Sequence, residues 1–166
     1  MSTLQLLTDE DLILLKFEAE DRKQIIEELG RRVLERGYIC PEFIPKLLER
    51  EEEFPTGLET AYPIAIPHVG EYCVQPFLAA ATTKTPVIFN AMDGSGKELD
   101  VQLVFLFGIT NPNEQVGVLR KFMFAFNEEK NLKALIQMED KKEALQLLQT
   151  LLGDGLAVLK RDGITE

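Results

Sequence analysis

The chain contains one histidine, His68, and it closes the stretch Tyr62-Pro63-Ile64-Ala65-Ile66-Pro67-His68. Near neutral pH an imidazole keeps one nitrogen lone pair free. It can act as a base or as a nucleophile, and it can accept a phosphoryl group where cationic and amide donors balance the phosphate oxygens, without a metal. Arg50 stands upstream at the end of an expected helix, with the turn residues Phe54-Pro55-Thr56-Gly57 between the two. The competing reading makes His68 a half-buried residue satisfied by a backbone carbonyl. Its position favours chemistry. Ile64 and Ile66 share one face of an extended segment, and Pro67 holds Ile66 extended but offers no amide proton. Strand pairing is therefore expected to stop at Pro67, leaving His68 exposed at a strand end.

The other reactive side chains say less. Cys40 and Cys73 have no CxxC spacing, so neither a disulfide framework nor a zinc site is indicated, and no metal or cofactor is expected. Cys73 follows closely enough on His68 to suggest a thiol–imidazole pair, but such a pair needs spatial contact and a third orienting group. A net charge of −10 argues against nucleic acid, which requires clustered Lys and Arg. The acidic run Glu51-Glu52-Glu53 reads as a solvated helix end, with its charge available to steer a basic protein partner. The longest apolar run, 103–109, is too short for a bilayer, and the N-terminus has no secretory pattern. A reduced, cytoplasmic protein is expected.

These residues need a scaffold, and the periodicities supply one. With 166 residues, 45% of them hydrophobic, a single domain can bury a core without a metal or disulfide staple. Residues 12–15 read as a buried strand. A helix from Asp21 carries Ile25, Ile26, Leu29, Val33 and Leu34 and stops at Gly37. A second helix begins near Phe43 or Ile44, with Pro45 tolerated in its first turn, and carries Arg50 near its end. Residues 76–82 and 87–89 read as two strands, and 101–107, apolar on both faces, as a central one. Asn111-Pro112-Asn113-Glu114 opens a helix with Val116, Leu119, Phe122, Met123 and Phe126 turned inward. A short helix over Leu132, Leu135 and Ile136 follows, then one capped at Asp140 and ending at Gly153. The fold class is α/β: one three-layer domain, 1–166, with a mixed sheet flanked by helices, a core over about 12–152 and a tail over 153–166.

Arg50-Glu51 followed by Thr56-Gly57 and then Ile64-Ala65-Ile66-Pro67-His68 resembles, as an ordered set, the IIA component of the bacterial phosphoenolpyruvate-dependent sugar phosphotransferase system, type-2 fructose/mannitol family. The resemblance extends more weakly over about 12–152. It implies a phosphocarrier that takes a phosphoryl group from the small carrier HPr and passes it to a cysteine of a IIB component, with a membrane IIC partner engaged only indirectly. Under it His68 is the phosphoacceptor and Arg50 the cation meeting the phosphoryl group. Many relatives carry a second histidine at the start of the helix after the central strand; here Gln115 stands in its place, a hydrogen-bond donor with no charge or proton to shuttle.

That departure, with Glu53-Phe54-Pro55-Thr56-Gly57, is most similar to the galactitol-specific branch. The alternatives are a free-standing regulatory protein of nitrogen-phosphotransferase type, acting through phosphorylation-dependent binding, and a generic α/β binding domain in which His68 is structural. For a protein donor an apolar ring around His68 is expected, with Phe54, Ile66 and Val69 as candidates.

Overall fold

Residues 5–159 are described in a computed structural model of the chain. The elements run β1 (Leu6–Thr8), β2 (Ile13–Phe17), α1 (Arg22–Glu35), α2 (Phe43–Glu53), β3 (Gly57–Leu58), β4 (Ile64–Ala65), β5 (His68–Val69), β6 (Phe77–Asn90), β7 (Glu98–Gly108), α3 (Pro112–Phe126), α4 (Glu129–Gln137), α5 (Lys141–Leu152) and β8 (Leu156–Val158). The antiparallel β6–β7 pair, in register from Phe77↔Gly108 to Asn90↔Glu98, forms the centre of the sheet. β1 and β2 lie parallel along the outer side of β6, and β4 and β5 lie parallel along the outer side of β7. β3 closes one edge antiparallel to β4, and β8 the other, parallel to β1. The sheet is mixed, as the short links require.

Alternation along the central strands splits the core in two. Phe77, Ala79, Ala81, Val104 and Leu106 face the layer of α1 and α2, while Leu78, Ala80, Phe105 and Phe107 face α3, α4 and α5. On the second face Phe105, Phe107, Phe122 and Phe126 interlock with ring centroids 4.7–4.9 Å apart. Each such ring contributes about 1.5–3 kcal/mol by burial, and each contact about 0.5–1.5 kcal/mol more. This is the expected three-layer domain.

Local chemistry sets most boundaries. The Asp21 carboxylate accepts from the Gln24 N–H at 3.0 Å and starts α1; Gly37 follows its end at φ +77°, where a side chain would be strained. Pro45 occupies the first turn of α2, where no helical amide is needed. Asp140 caps α5 through the Lys142 N–H at 2.8 Å.

Several expectations need correction. The stretches expected over 76–82 and 87–89 fall in one strand that begins at Phe77: the Thr82/Val87 irregularity loops out a segment containing Pro86, where a missing donor costs no ladder bond. Strand β2 starts at Ile13 rather than residue 12, because Asp9 caps a 3-10 turn over Glu10–Leu12. Val116 is 46% exposed rather than inward. The stretch after Gly153, expected to be a tail, supplies β8, and β1 beside it precedes the core expected over 12–152.

Pairing does not stop at Pro67 either. Its carbonyl still accepts from the Phe107 N–H at 3.3 Å, and His68 resumes the ladder opposite Phe107, so His68 opens β5 instead of ending β4. A proline removes one donor, and here the loss interrupts the ladder without ending it.

The end of β7 that supports β5 is tightly built. A Cβ on Gly108 would lie 2.1 Å from the fully buried Phe77 ring and 2.9 Å from Cys73 Sγ. Gly108→Ala is expected to lower stability by about 2 kcal/mol by overpacking, read as a lower urea midpoint at unchanged m-value. An unchanged midpoint would show that Phe77 can yield.

Candidate functional site

Helix α2 packs against β5 and brings its last turn beside His68. Apolar Phe43 and Leu47 fix the inner face of that helix, and the turn ends with Arg50 and Glu51 pointing in different directions. The Arg50 guanidinium lies over the Phe54 ring, 4.8 Å from its centroid, an arrangement that holds a long side chain without neutralising it. Among the described residues it has no ion pair.

Glu51, one residue on, is 4% exposed. Its two carboxylate oxygens accept from the Thr56 N–H at 2.9 Å and the Thr56 hydroxyl at 2.8 Å. Burial pushes its carboxyl above the usual carboxylate range, and the two Thr56 donors oppose that rise. The acidic run is thus not uniformly solvated. Helical geometry places Glu51 on the inner side, while Glu52 points out to pair with Arg22 at 2.8 Å. The paired hydroxyl and amide of Thr56 are the partners that offset the cost of burying a carboxylate.

Gly57 serves a separate need. A Cβ there would lie 2.6 Å from the Asn90 carbonyl oxygen, so only glycine lets the β6–β7 connection approach, and the Gly57 carbonyl accepts from the Met92 N–H at 2.8 Å. This contact brings Met92 and Gly94 to the site, which the sequence reading did not single out. With Arg50, Glu51, Glu53, Phe54, Pro55, Thr56 and His68 they line a cleft of about 290 Å³.

His68 is partly exposed in that cleft, and its Nδ1 lies 2.7 Å from the Ile66 carbonyl oxygen. A carbonyl can only accept, so Nδ1 carries the proton. In the neutral ring the lone pair then sits on Nε2. Ile66 is itself anchored, its N–H donating to the Thr56 carbonyl at 3.3 Å. The site therefore combines an oriented imidazole with an unneutralised guanidinium. That pairing suits nucleophilic acceptance of an anionic group.

The expected ring of apolar residues is only partly present. Phe54 is 59% exposed and lines the cleft, and Met92 joins it at 42%. Val69 is buried in the α1/α2-side core and Ile66 packs against the opposite one, so neither lines the opening. The lining is a mixture of charge and apolar surface. Gln115 falls in the first turn of α3, and its side chain lies outside the described residues.

Residues 6–150 match the family described as "Phosphoenolpyruvate-dependent sugar phosphotransferase system, EIIA 2". The chain belongs to this family. It is a phosphotransferase component, and its α/β architecture is that of the type-2 IIA domains. It is 28% identical over 145 residues to the mannitol-specific phosphotransferase enzyme IIA component of Halalkalibacterium halodurans, covering 87% of this chain and 95% of the relative. Over 104 residues it is 31% identical to the galactitol-specific EIIA component of Escherichia coli K12, covering 60% of this chain and 67% of that protein. In three dimensions it superimposes on the Escherichia coli complex of enzyme IIA and phosphorylated enzyme IIB for mannitol with a TM-score of 0.72, at 24% identity, over 87% of this chain and 99% of that one.

Cys73 has no part in the cleft lining. Its thiol donates to the Gln75 carbonyl at 3.1 Å, and burial pushes its pKa up to about 11. At pH 8 roughly one thiol in a thousand is then ionised, against about a quarter for an unperturbed cysteine. Iodoacetamide labelling of Cys73 is expected to be far slower than that of a free thiol at pH 8 and to accelerate as pH rises toward 11. Fast labelling near neutrality, located by peptide mass, would reopen the thiol–imidazole reading.

Proposed function

We propose that this IIA component is a cytoplasmic phosphocarrier in which His68 Nε2 accepts a phosphoryl group from phospho-HPr and passes it to a cysteine of the cognate IIB component. The observation that carries the reading is the Nδ1–H bond to the Ile66 carbonyl, which leaves Nε2 as the nucleophile in a cleft shared with Arg50. The Nε2 lone pair forms the new P–N bond as the P–N bond of the donor phosphohistidine breaks, and the leaving nitrogen takes back the bonding pair. The proton on His68 Nδ1 stays with the ring throughout, and the positive charge gained there is eased by the Ile66 carbonyl. Transfer onward reverses the roles, with the IIB thiolate as nucleophile and His68 as leaving group.

Phosphoryl transfer passes through a loose transition state whose charge spreads over three equatorial oxygens, so positioning and cationic donors dominate its catalysis. Arg50 is the donor we assign to those oxygens. A guanidinium presents two parallel N–H groups to phosphate, whereas an ammonium presents a point charge. Gln115 remains a candidate amide donor to the same oxygens.

The substrate class proposed is a sugar alcohol, galactitol or a related polyol. The named relatives support the class through their mannitol and galactitol specificities. The IIB partner is supported by the relative's IIA–IIB complex. The sugar itself is bound by the membrane IIC partner and need not touch this surface.

With labelled phosphoenolpyruvate, enzyme I and a matched HPr, wild type is expected to take up acid-labile, base-stable label and His68→Ala none. Equal labelling of both would sink the assignment. Arg50→Lys should slow labelling by about 10–100-fold, the worth of a charge-assisted hydrogen bond of about 1.5–3 kcal/mol. An unchanged rate would remove Arg50 from the site. Label that enters His68 but passes to no cognate IIB cysteine would favour the regulatory alternative.

A further inference from the structure

Glu51 is a buried carboxylate with no ion pair among the described residues. The cation nearest in effect, Arg22, forms its ion pair with Glu52 instead. An apolar side chain of similar volume would fill the position without the desolvation cost. What the carboxylate does do is hold Thr56, itself 5% exposed, at both its N–H (2.9 Å) and its hydroxyl (2.8 Å). Thr56 in turn holds Ile66, whose N–H donates to the Thr56 carbonyl at 3.3 Å, and Ile66 holds His68 through the 2.7 Å contact to Nδ1.

These bonds form an unbroken series from the core-facing side of α2 to the imidazole. The link through Ile66 is the sensitive one. The Ile66–Pro67 peptide has no N–H, so the direction of the Ile66 carbonyl is set by its anchors on either side. Those are the bond to Thr56 and the Phe107 N–H bond to the Pro67 carbonyl at 3.3 Å. Removing Glu51 leaves two buried Thr56 donors without an acceptor, and the turn must rotate toward water to satisfy them. That rotation takes the Thr56 carbonyl away from Ile66.

We propose that Glu51 is a positioning residue, fixing His68 in the Nδ1–H tautomer through Thr56 and Ile66 and so keeping the Nε2 lone pair aimed into the cleft. The inference deepens the phosphocarrier reading and rests on it for its functional meaning. It makes one turn of α2 responsible for both halves of the chemistry, with Arg50 meeting the phosphate and Glu51 orienting the nucleophile. The action of Glu51 is through hydrogen bonds: its carboxylate holds the Thr56 N–H and hydroxyl, and the Thr56 carbonyl, which belongs to the next peptide group, meets the Ile66 N–H.

The test is the imidazole ¹⁵N spectrum of His68 in the unphosphorylated protein, which needs no donor protein, together with the phosphorylation rate. Wild type is expected to show the Nδ1–H tautomer. In Glu51→Ala the Nε2–H tautomer should rise to about a third or more, with transfer slowed about tenfold or more. Glu51→Gln can rebuild both contacts, its carbonyl accepting from the Thr56 N–H and its amide donating to the Thr56 hydroxyl, so it should restore both readouts within about twofold. Thr56→Ala, which loses only the hydroxyl contact, should move the tautomer in the same direction by less, and it decides the matter if Glu51→Ala does not fold.

A His68 spectrum unchanged in Glu51→Ala or, failing that variant, in Thr56→Ala overturns the proposal, as does an equal shift in Glu51→Ala and Glu51→Gln. A tautomer shift in a protein that never takes up label would uphold the positioning role while removing the phosphocarrier reading.

Discussion

The site depends on one hydrogen bond, from His68 Nδ1 to the Ile66 carbonyl at 2.7 Å. An imidazole free to rotate would offer either nitrogen and spend part of its time with a proton where the lone pair is wanted. A carbonyl acceptor removes that freedom, because it can bond only the protonated nitrogen. The rest of the local structure places this carbonyl. Pro67 keeps the backbone extended, β5 pairs with the end of β7, and the Thr56 turn meets Ile66 from the other side.

The layered fold explains why this segment can be rigid. β4 and β5 are two residues each, too short to hold themselves. They lie against β7, whose residues Leu103, Val104, Phe105, Leu106 and Phe107 are all buried between the two helical layers. The aromatic cluster on one face and the α1–α2 layer on the other thus reach the His68 ring through a few ladder bonds. Glycines at 57 and 108 permit the close approaches that this arrangement needs.

How much of this was readable beforehand varies with the range of the interaction. Helices α1 and α5 were legible because their caps and apolar stripes are local, α2 because of its apolar stripe and first-turn Pro45, and β7 because a run apolar on both faces has few other uses. His68 and Arg50 stood out as the lone imidazole and a helix-end cation, and the structure brings both to one cleft. The resumption of pairing at His68 was not legible, since a proline's remaining carbonyl is useful only if a donor such as the Phe107 N–H faces it. The split within the acidic run was also hidden, because Glu51 and Glu52 differ only in which side of α2 they face. Strands β1 and β8 were missed because each carries too few residues for a period and finds its partner at the opposite end of the chain.

The central claim is that backbone geometry, by occupying Nδ1, makes Nε2 of His68 the phosphorylated atom. The most direct measurement is the ³¹P and ¹⁵N spectrum of the protein after phosphorylation by phosphoenolpyruvate, enzyme I and HPr. The account predicts phosphorus bonded to Nε2 with the proton retained on Nδ1. Phosphorus bonded to Nδ1 would contradict it, because that nitrogen could reach a donor only by giving up the Ile66 carbonyl.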